Sequence, residues 1–166
     1  MPSCGRASHS EHRDEPAGAA ENSTSAEFCD TNLIVYAYDV TAGLKHEAAG
    51  ELLARLWESG NGVISVQVLQ ELFVTLTRKI PQPLPLLRAR GIVADMATWR
   101  VIEPGSRDVL AAVDGIERWH VSFWDAMILT TAILAGARTV WSEDLSDGQA
   151  YDGAIVRNPF LLPGHP

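Results

Sequence analysis

From Glu27 onward the chain alternates short β-favouring runs with helical segments of about 10 to 15 residues, the signature of βα units laid side by side in a parallel sheet. The runs EFCD from Glu27, VIS from Val63, WRVIEP from Trp99 and RTVWS from Arg138 read as strands. After the first strand, LIVYAYDV starts a helix whose N-terminus falls near Asp30 and Thr31, and a second helix covers His46 to Ser59. Its Leu52, Leu53, Leu56 and Trp57 recur at helical spacing, and Gly60 and Gly62 end it. Ser65 is placed to cap VQVLQELFVTLTRKI, in which Val68, Leu69, Leu72, Phe73 and Leu76 form the apolar stripe, before Pro81, Pro83 and Pro85 stop the helix. Further helices are predicted over Leu86–Thr98, over RDVLAAVDGIERW and over Phe123–Leu134, the last closed by Gly136. AIVRNPF is expected at a sheet edge, because Pro159 would remove a ladder donor from a central strand. The fold class is therefore α/β, with a short, mostly parallel central sheet flanked by helices and no internal repeat.

At 166 residues the chain suits one domain, and a composition of 46% hydrophobic and 20% charged residues is that of a soluble globular protein. No apolar run reaches the roughly 18 residues that a membrane span needs. Residues 1–26 contain almost no large apolar side chains, so they cannot offset the entropy of ordering and are expected to be a mobile tail. They also lack the continuous apolar core of a secretory signal, which points to the cytoplasm. Cys4 in that leader and Cys29 in the first strand are too few for a disulfide framework or a thiolate metal site, and free thiols are expected. The net charge of -8 opposes the basic footprint of most nucleic-acid binders. That objection weakens if some of the acids hold a cation, which neutralises them and itself attracts phosphate. Moreover, Arg78, Lys79, Arg88, Arg90 and Arg100 face only Asp95 between them, a candidate RNA-contacting rim or equally a solvated helical surface.

If the strands run parallel, the crevice outside their carboxyl ends gathers whatever lies just past each strand. Four carboxylates, Asp30, Glu71, Asp125 and Asp144, lie there or early in the following helix. At roughly 4 Å and an effective dielectric of about 20, each like-charged pair costs on the order of 4 kcal/mol, so a cluster implies a divalent cation or raised pKa values. Each acid also has an ordinary structural role open to it. Asp30 stands at a helix N-cap, Asp125 follows Ser122 by three residues as in a capping box, Asp144 suits the turn SEDLSDG, and Glu71 could face solvent. The recurrence at one topological edge favours a joint role, and capping is compatible with it, because a carboxylate at a helix start is favoured by the dipole and held in a fixed direction.

In order and spacing, Phe28-Cys29-Asp30-Thr31-Asn32, Gln70-Glu71, Phe123-Trp124-Asp125-Ala126 and Ser142-Glu143-Asp144-Leu145 resemble the acidic motifs of PIN-domain ribonucleases, and among them those of VapC-type toxins. The resemblance spans Glu27 to Phe160, leaving residues 1–26 and 161–166 as tails around a domain of 27–160. It implies a three-layer sandwich of helices around the sheet, with Mg²⁺ or Mn²⁺ held by Asp30, Glu71, Asp125 and Asp144. Thr31, Asn32 and Ser142 match the polar positions that orient ligands or waters beside the acids. It also implies a metal-dependent endoribonuclease, the toxin of a toxin-antitoxin pair, with a cognate antitoxin as partner and a homodimer or hetero-oligomer as its assembly.

The residues themselves agree with that chemistry. Oxygen donors without histidine or cysteine at matching spacing suit Mg²⁺ or Mn²⁺ rather than zinc. Asp147, in Ser146-Asp147-Gly148, is a further candidate ligand, though its setting is that of a turn former. His9, His12, His46, His120 and His165 fall into no ligand or triad pattern, and neither Ser65 nor Ser142 lies in a nucleophile elbow. Trp99, Trp119, Trp124 and Trp141 suggest base stacking, but Trp124 and Trp141 are expected in the core, and Tyr36, Tyr38 and Leu33 are expected to serve packing. Two rivals remain: a non-catalytic binding module in which the acids only cap helices, and an aspartyl-phosphate phosphatase using Asp30. The second is weakened by Asn32, which stands where that chemistry wants an acid, and by the lack of a well-placed lysine.

Overall fold

A computed structural model describes residues 25–161. Cys4, His9, His12, His165 and nearly all of both expected tails lie outside the described residues.

The chain opens with strand β1, Glu27–Cys29, and turns into helix α1, Thr31–Tyr38. A 3-10 turn, Val40–Ala42, leads to α2, Leu44–Ser59, which Gly60 closes in the left-handed region at φ 67°. Strand β2, Gly62–Ser65, runs straight into α3, Val66–Arg78, with the Ser65 hydroxyl accepting from the Val68 amide as the sequence predicts. Past the prolines come α4, Leu86–Met96, and β3, Arg100–Ile102, followed by α5, Ser106–Trp119, and α6, Phe123–Leu134. Three strands end the fold: β4, Thr139–Trp141; β5, Ala150–Tyr151; and β6, Ala154–Arg157.

The sheet order is β3-β2-β1-β4-β6-β5, parallel throughout except for the antiparallel β5-β6 hairpin. Among the described residues, six strands flanked by six helices thus give the expected α/β class. The edge placement of AIVRNPF is corrected: β6 pairs with β4 on one side and β5 on the other, and Pro159 lies beyond the strand in a 3-10 turn, where it removes no ladder bond. The small β5 strand was not legible because a two-residue strand has no period.

Chain order and sheet order part company between β1 and β4. The chain builds outward from β1 through β2 to β3, then returns to the other flank of β1 with β4. Such a reversal opens a crevice at the carboxyl ends of the two strands flanking it. Asp30 and Ser142 are the residues that follow those ends, and the Asp30 amide donates to the Trp141 carbonyl at 2.9 Å. Beneath them Phe28, Ile64 and Val140 of the sheet pack with Leu33, Ile34, Leu72 and Leu129 of the helices in a fully buried core, so the crevice floor is rigid. Among the described residues no helix is long and apolar enough to cross a membrane.

Trp141 packs partly buried against the core, but Trp124 does not: it is 61% exposed, which corrects its expected placement. The buried run of α6 begins at Ala126, two residues past Trp124, and continues through Ala132.

Candidate active site

Asp30 is the centre of the site. It lies between β1 and α1 with extended backbone, is only 7% exposed, and is held by two donors: the Thr31 amide at 2.6 Å on Oδ1 and the Ser142 hydroxyl at 2.7 Å on Oδ2. Ser142 in turn accepts from the Asp144 amide at 3.2 Å, so one buried hydroxyl ties the loop after β4 to the end of β1. Burial pushes the Asp30 carboxyl up to about 6; the Ser142 and Thr31 hydrogen bonds oppose that rise, while the negative charges of Asp144 and Glu71 add to it.

Glu71 and Asp144 are held from the residues after β1, and Asp125 from the cap of α6. Thr31 Oγ1 donates to Glu71 Oε2 at 3.0 Å, and Gln67, one turn earlier on α3, donates through Nε2 to Glu71 Oε1 at 3.0 Å. Asn32 Nδ2 donates to Asp144 Oδ2 at 2.5 Å. Thr31, Asn32 and Ser142 therefore each touch one of the acids they were expected to orient. Asp125 sits in the first turn of α6, where Ser122 both accepts from its amide at 3.2 Å and donates to its Oδ2 at 2.7 Å. The expected reciprocal box is altered, since the Asp125 side chain takes the Ser122 hydroxyl. The half-buried Glu71 is not a solvent-facing residue.

Asp125 and Asp144 both line a cleft of about 700 Å³ whose walls include Arg118, Trp119, His120, Ser122, Gln149 and Tyr151. Arg118 is paired with Asp152 at 2.6 Å across one end. His120, which stood alone in the sequence, reaches the cleft because it ends α5 in the left-handed conformation at φ 56°. Only the αL-prone position between a helix and the Ser122 cap hinted at it. A second bracing cluster holds the loop itself: Glu143 accepts from Tyr36 Oη at 2.7 Å and is paired with Lys45.

Asp147 does not line the cleft, and its Oδ1 accepts from the Asn158 amide at 2.8 Å, which pins the turn to the end of β6. Nor do the basic candidates reach it. Arg78 and Lys79 are exposed at the far end of α3, about 10 Å further along the axis than Glu71. Arg88 and Arg90 are exposed on α4, and Arg100 donates to the Ala135 carbonyl at 3.0 Å. Among the described residues, no three acidic, histidine or cysteine side chains close up into a cation-sized group. The donor set nonetheless fits a hard cation: it is all oxygen, and it contains a buried carboxyl whose ionisation its acidic neighbours oppose.

The PIN domain family model matches residues 28–146, the stretch holding all four acids. No curated protein matches the sequence significantly. Among solved structures, a toxin-antitoxin complex from Klebsiella pneumoniae is similar with a TM-score of 0.59 at 19% identity, over 81% of this chain and 98% of that one. VapBC2 from Rickettsia felis, bound to a DNA fragment from its promoter, aligns with a TM-score of 0.58 at 18% identity over 80% and 98%. Mycobacterium tuberculosis VapC20, a toxin that cleaves the sarcin-ricin loop, aligns with a TM-score of 0.53 at 21% identity over 69% and 87%. With the family model covering most of the chain and the acids standing at the sheet reversal, the chain belongs to the PIN domain family.

Proposed function

We propose that the chain is a metal-dependent endoribonuclease that hydrolyses RNA phosphodiester bonds, acting in the cytoplasm as the toxin of a toxin-antitoxin pair. The observation that carries this reading is the linkage of Asp30, Glu71 and Asp144 through Thr31, Asn32 and Ser142 at the sheet reversal, with Asp125 in the cleft that Asp144 opens onto. The similar structures, a sarcin-ricin loop cleaving toxin, a toxin-antitoxin complex and VapBC2, support it. They also support a cognate antitoxin as partner, and a homodimer or antitoxin hetero-oligomer is the assembly we propose.

In this reading Asp30, Glu71, Asp125 and Asp144 hold Mg²⁺ or Mn²⁺. Bound there, the cation supplies Lewis acidity toward water and neutralises charge on the phosphate. The chain's own residues do the positioning. Ser142 and the Thr31 amide fix both oxygens of Asp30, Thr31 and Gln67 fix Glu71, and Asn32 fixes Asp144, so the carboxylates need little reorganisation. Ser122 holds Asp125 toward the cleft. No covalent enzyme intermediate is required. Asp30 is ill suited to one, being buried with both oxygens engaged, which disfavours the phosphatase alternative.

The test is cleavage of total RNA by the purified protein with Mg²⁺ or Mn²⁺, beside an EDTA control and the Asp30→Asn variant. Discrete products lost in both controls are expected. Folded, cation-binding protein without cleavage would refute the nuclease and favour the binding module.

A further inference from the structure

We propose that the groove beside Trp124 is a nucleobase subsite, taking one unpaired base of the RNA whose backbone passes the acidic cleft; this rests on the ribonuclease reading above. Large aromatic side chains cost free energy when left in water, and Trp124 is 61% exposed in the first turn of α6, immediately before Asp125. The ring is not loose. Phe123 meets it edge to face at 5.1 Å and 66°, and Phe123 itself packs on the buried cluster of Ala112, Ala126 and Met127. A braced, solvent-facing indole is a stacking platform with little rotamer entropy left to lose.

Trp124 and Met127 form one wall of a groove of about 400 Å³, opposite Gln67 and Gln70 of α3 and Glu103 after β3. Among the described residues no lysine or arginine lines it, and the Glu103 carboxylate repels phosphate, so the groove suits a neutral base, not the backbone. Glu103 and Gln70 offer acceptors and an amide donor for the edge of a base. The groove is also joined to the acids on both sides. Gln67 lines it while donating to Glu71 at 3.0 Å, and the residue after Trp124 lines the neighbouring cleft with Asp144. A strand whose phosphate lies at Asp125 thus has a base within reach of Trp124. Duplex RNA keeps its bases stacked on each other and gains nothing there.

Binding of a short, labelled, random-sequence single-stranded RNA is measured by anisotropy on the full chain carrying Asp30→Asn, which suppresses cleavage, with and without Trp124→Ala or Trp124→Phe. KM and kcat are measured in parallel on chains with Asp30 intact. Trp124→Ala should weaken binding about 5- to 150-fold and raise KM more than it lowers kcat, with Trp124→Phe recovering most of the loss. Duplex RNA should bind more weakly and ignore the substitution. Cleavage by the unsubstituted chain with affinity and KM unmoved by Trp124→Ala overturns the subsite and leaves the nuclease standing. Neither binding nor cleavage by the unsubstituted chain removes both. A Trp124→Ala chain that loses a dimer at unchanged RNA affinity assigns the patch to self-association and likewise overturns the subsite.

Discussion

Replacing Asp30 by Asn should stabilise this protein at neutral pH while abolishing the proposed activity. The Asp30 carboxyl ionises near 6 in the folded chain because it is buried beside Asp144 and Glu71, whereas the unfolded chain gives its proton up near 3.9. Below the unfolded value both states hold the proton and no penalty exists. As pH rises from about 4 toward 6 the unfolded state releases its proton first, so folding loses free energy, reaching about 3 kcal/mol once the folded carboxyl has also ionised. An amide at this position never ionises. Its oxygen can still accept from the Thr31 amide, but the Ser142 hydroxyl loses its acceptor, at about 1 kcal/mol. The variant should therefore be about 1 kcal/mol less stable than the wild type at pH 3 and about 2 kcal/mol more stable at pH 7.5, measured by urea unfolding in EDTA. The swing of about 3 kcal/mol is the decisive quantity, since any fixed packing offset cancels from it. A difference that does not change with pH, or one that moves toward the wild type as pH rises, would refute the buried, charge-crowded carboxyl on which the site is built.

Adding Mg²⁺ in EDTA-free buffer at about 100 times its dissociation constant should add about 2.7 kcal/mol to wild-type stability by mass action and much less to Asp30→Asn; equal thermal shifts would remove Asp30 from the cation site. Ser142→Ala strips the donor from Asp30 Oδ2 and should cost about 1–3 kcal/mol at pH 7.5 but less at pH 4.5, where Asp30 is protonated; a loss independent of pH would make Ser142 merely a packing residue. Gly62→Ala would set a Cβ 2.4 Å from the Trp99 ring, and overpacking of about 1–3 kcal/mol should appear as a lower melting temperature; an unchanged melt would refute the close approach. Asp147→Asn keeps an oxygen for the Asn158 amide, so cleavage should persist; its loss would place Asp147 among the ligands.

Periodicity carried most of the fold. The stripes of α2 and α3 and the caps at Ser65 and Ser122 are local, so helix positions followed from residues three and four apart, and the ends missed by only a residue or two, as with α2 beginning at Leu44 and α4 ending at Met96. The acids were legible for a related reason. In a parallel sheet every residue just past a strand lies on the same edge whatever the strand order, so Asp30, Glu71 and Asp144 could be grouped without knowing which strand neighbours which. Their mutual wiring was not legible. The Thr31–Glu71 and Asn32–Asp144 bonds join residues 40 and 112 positions apart, and no local pattern specifies such pairs.

What the sequence withheld is where solvent reaches. Trp124 and Ile128 lie one helical turn apart on α6, yet the first is exposed and the second 4% exposed. That contrast depends on tertiary packing: Ile128 joins the main core, whereas Trp124 borders the groove shared with Gln67, Gln70 and Glu103. The turn between α5 and α6 delivers His120 to the cleft wall, beside Arg118 of the last turn of α5. The sequence concentrates positive charge from Arg78 through Arg100, yet those side chains line neither the cleft nor the groove. In the proposed ribonuclease reading the acids are set by strand ends, whereas the groove proposed to take a base is lined from helix starts and a strand end. Substrate preference can therefore change through a few exposed positions such as Trp124 while the buried Asp30–Ser142 pair stays fixed.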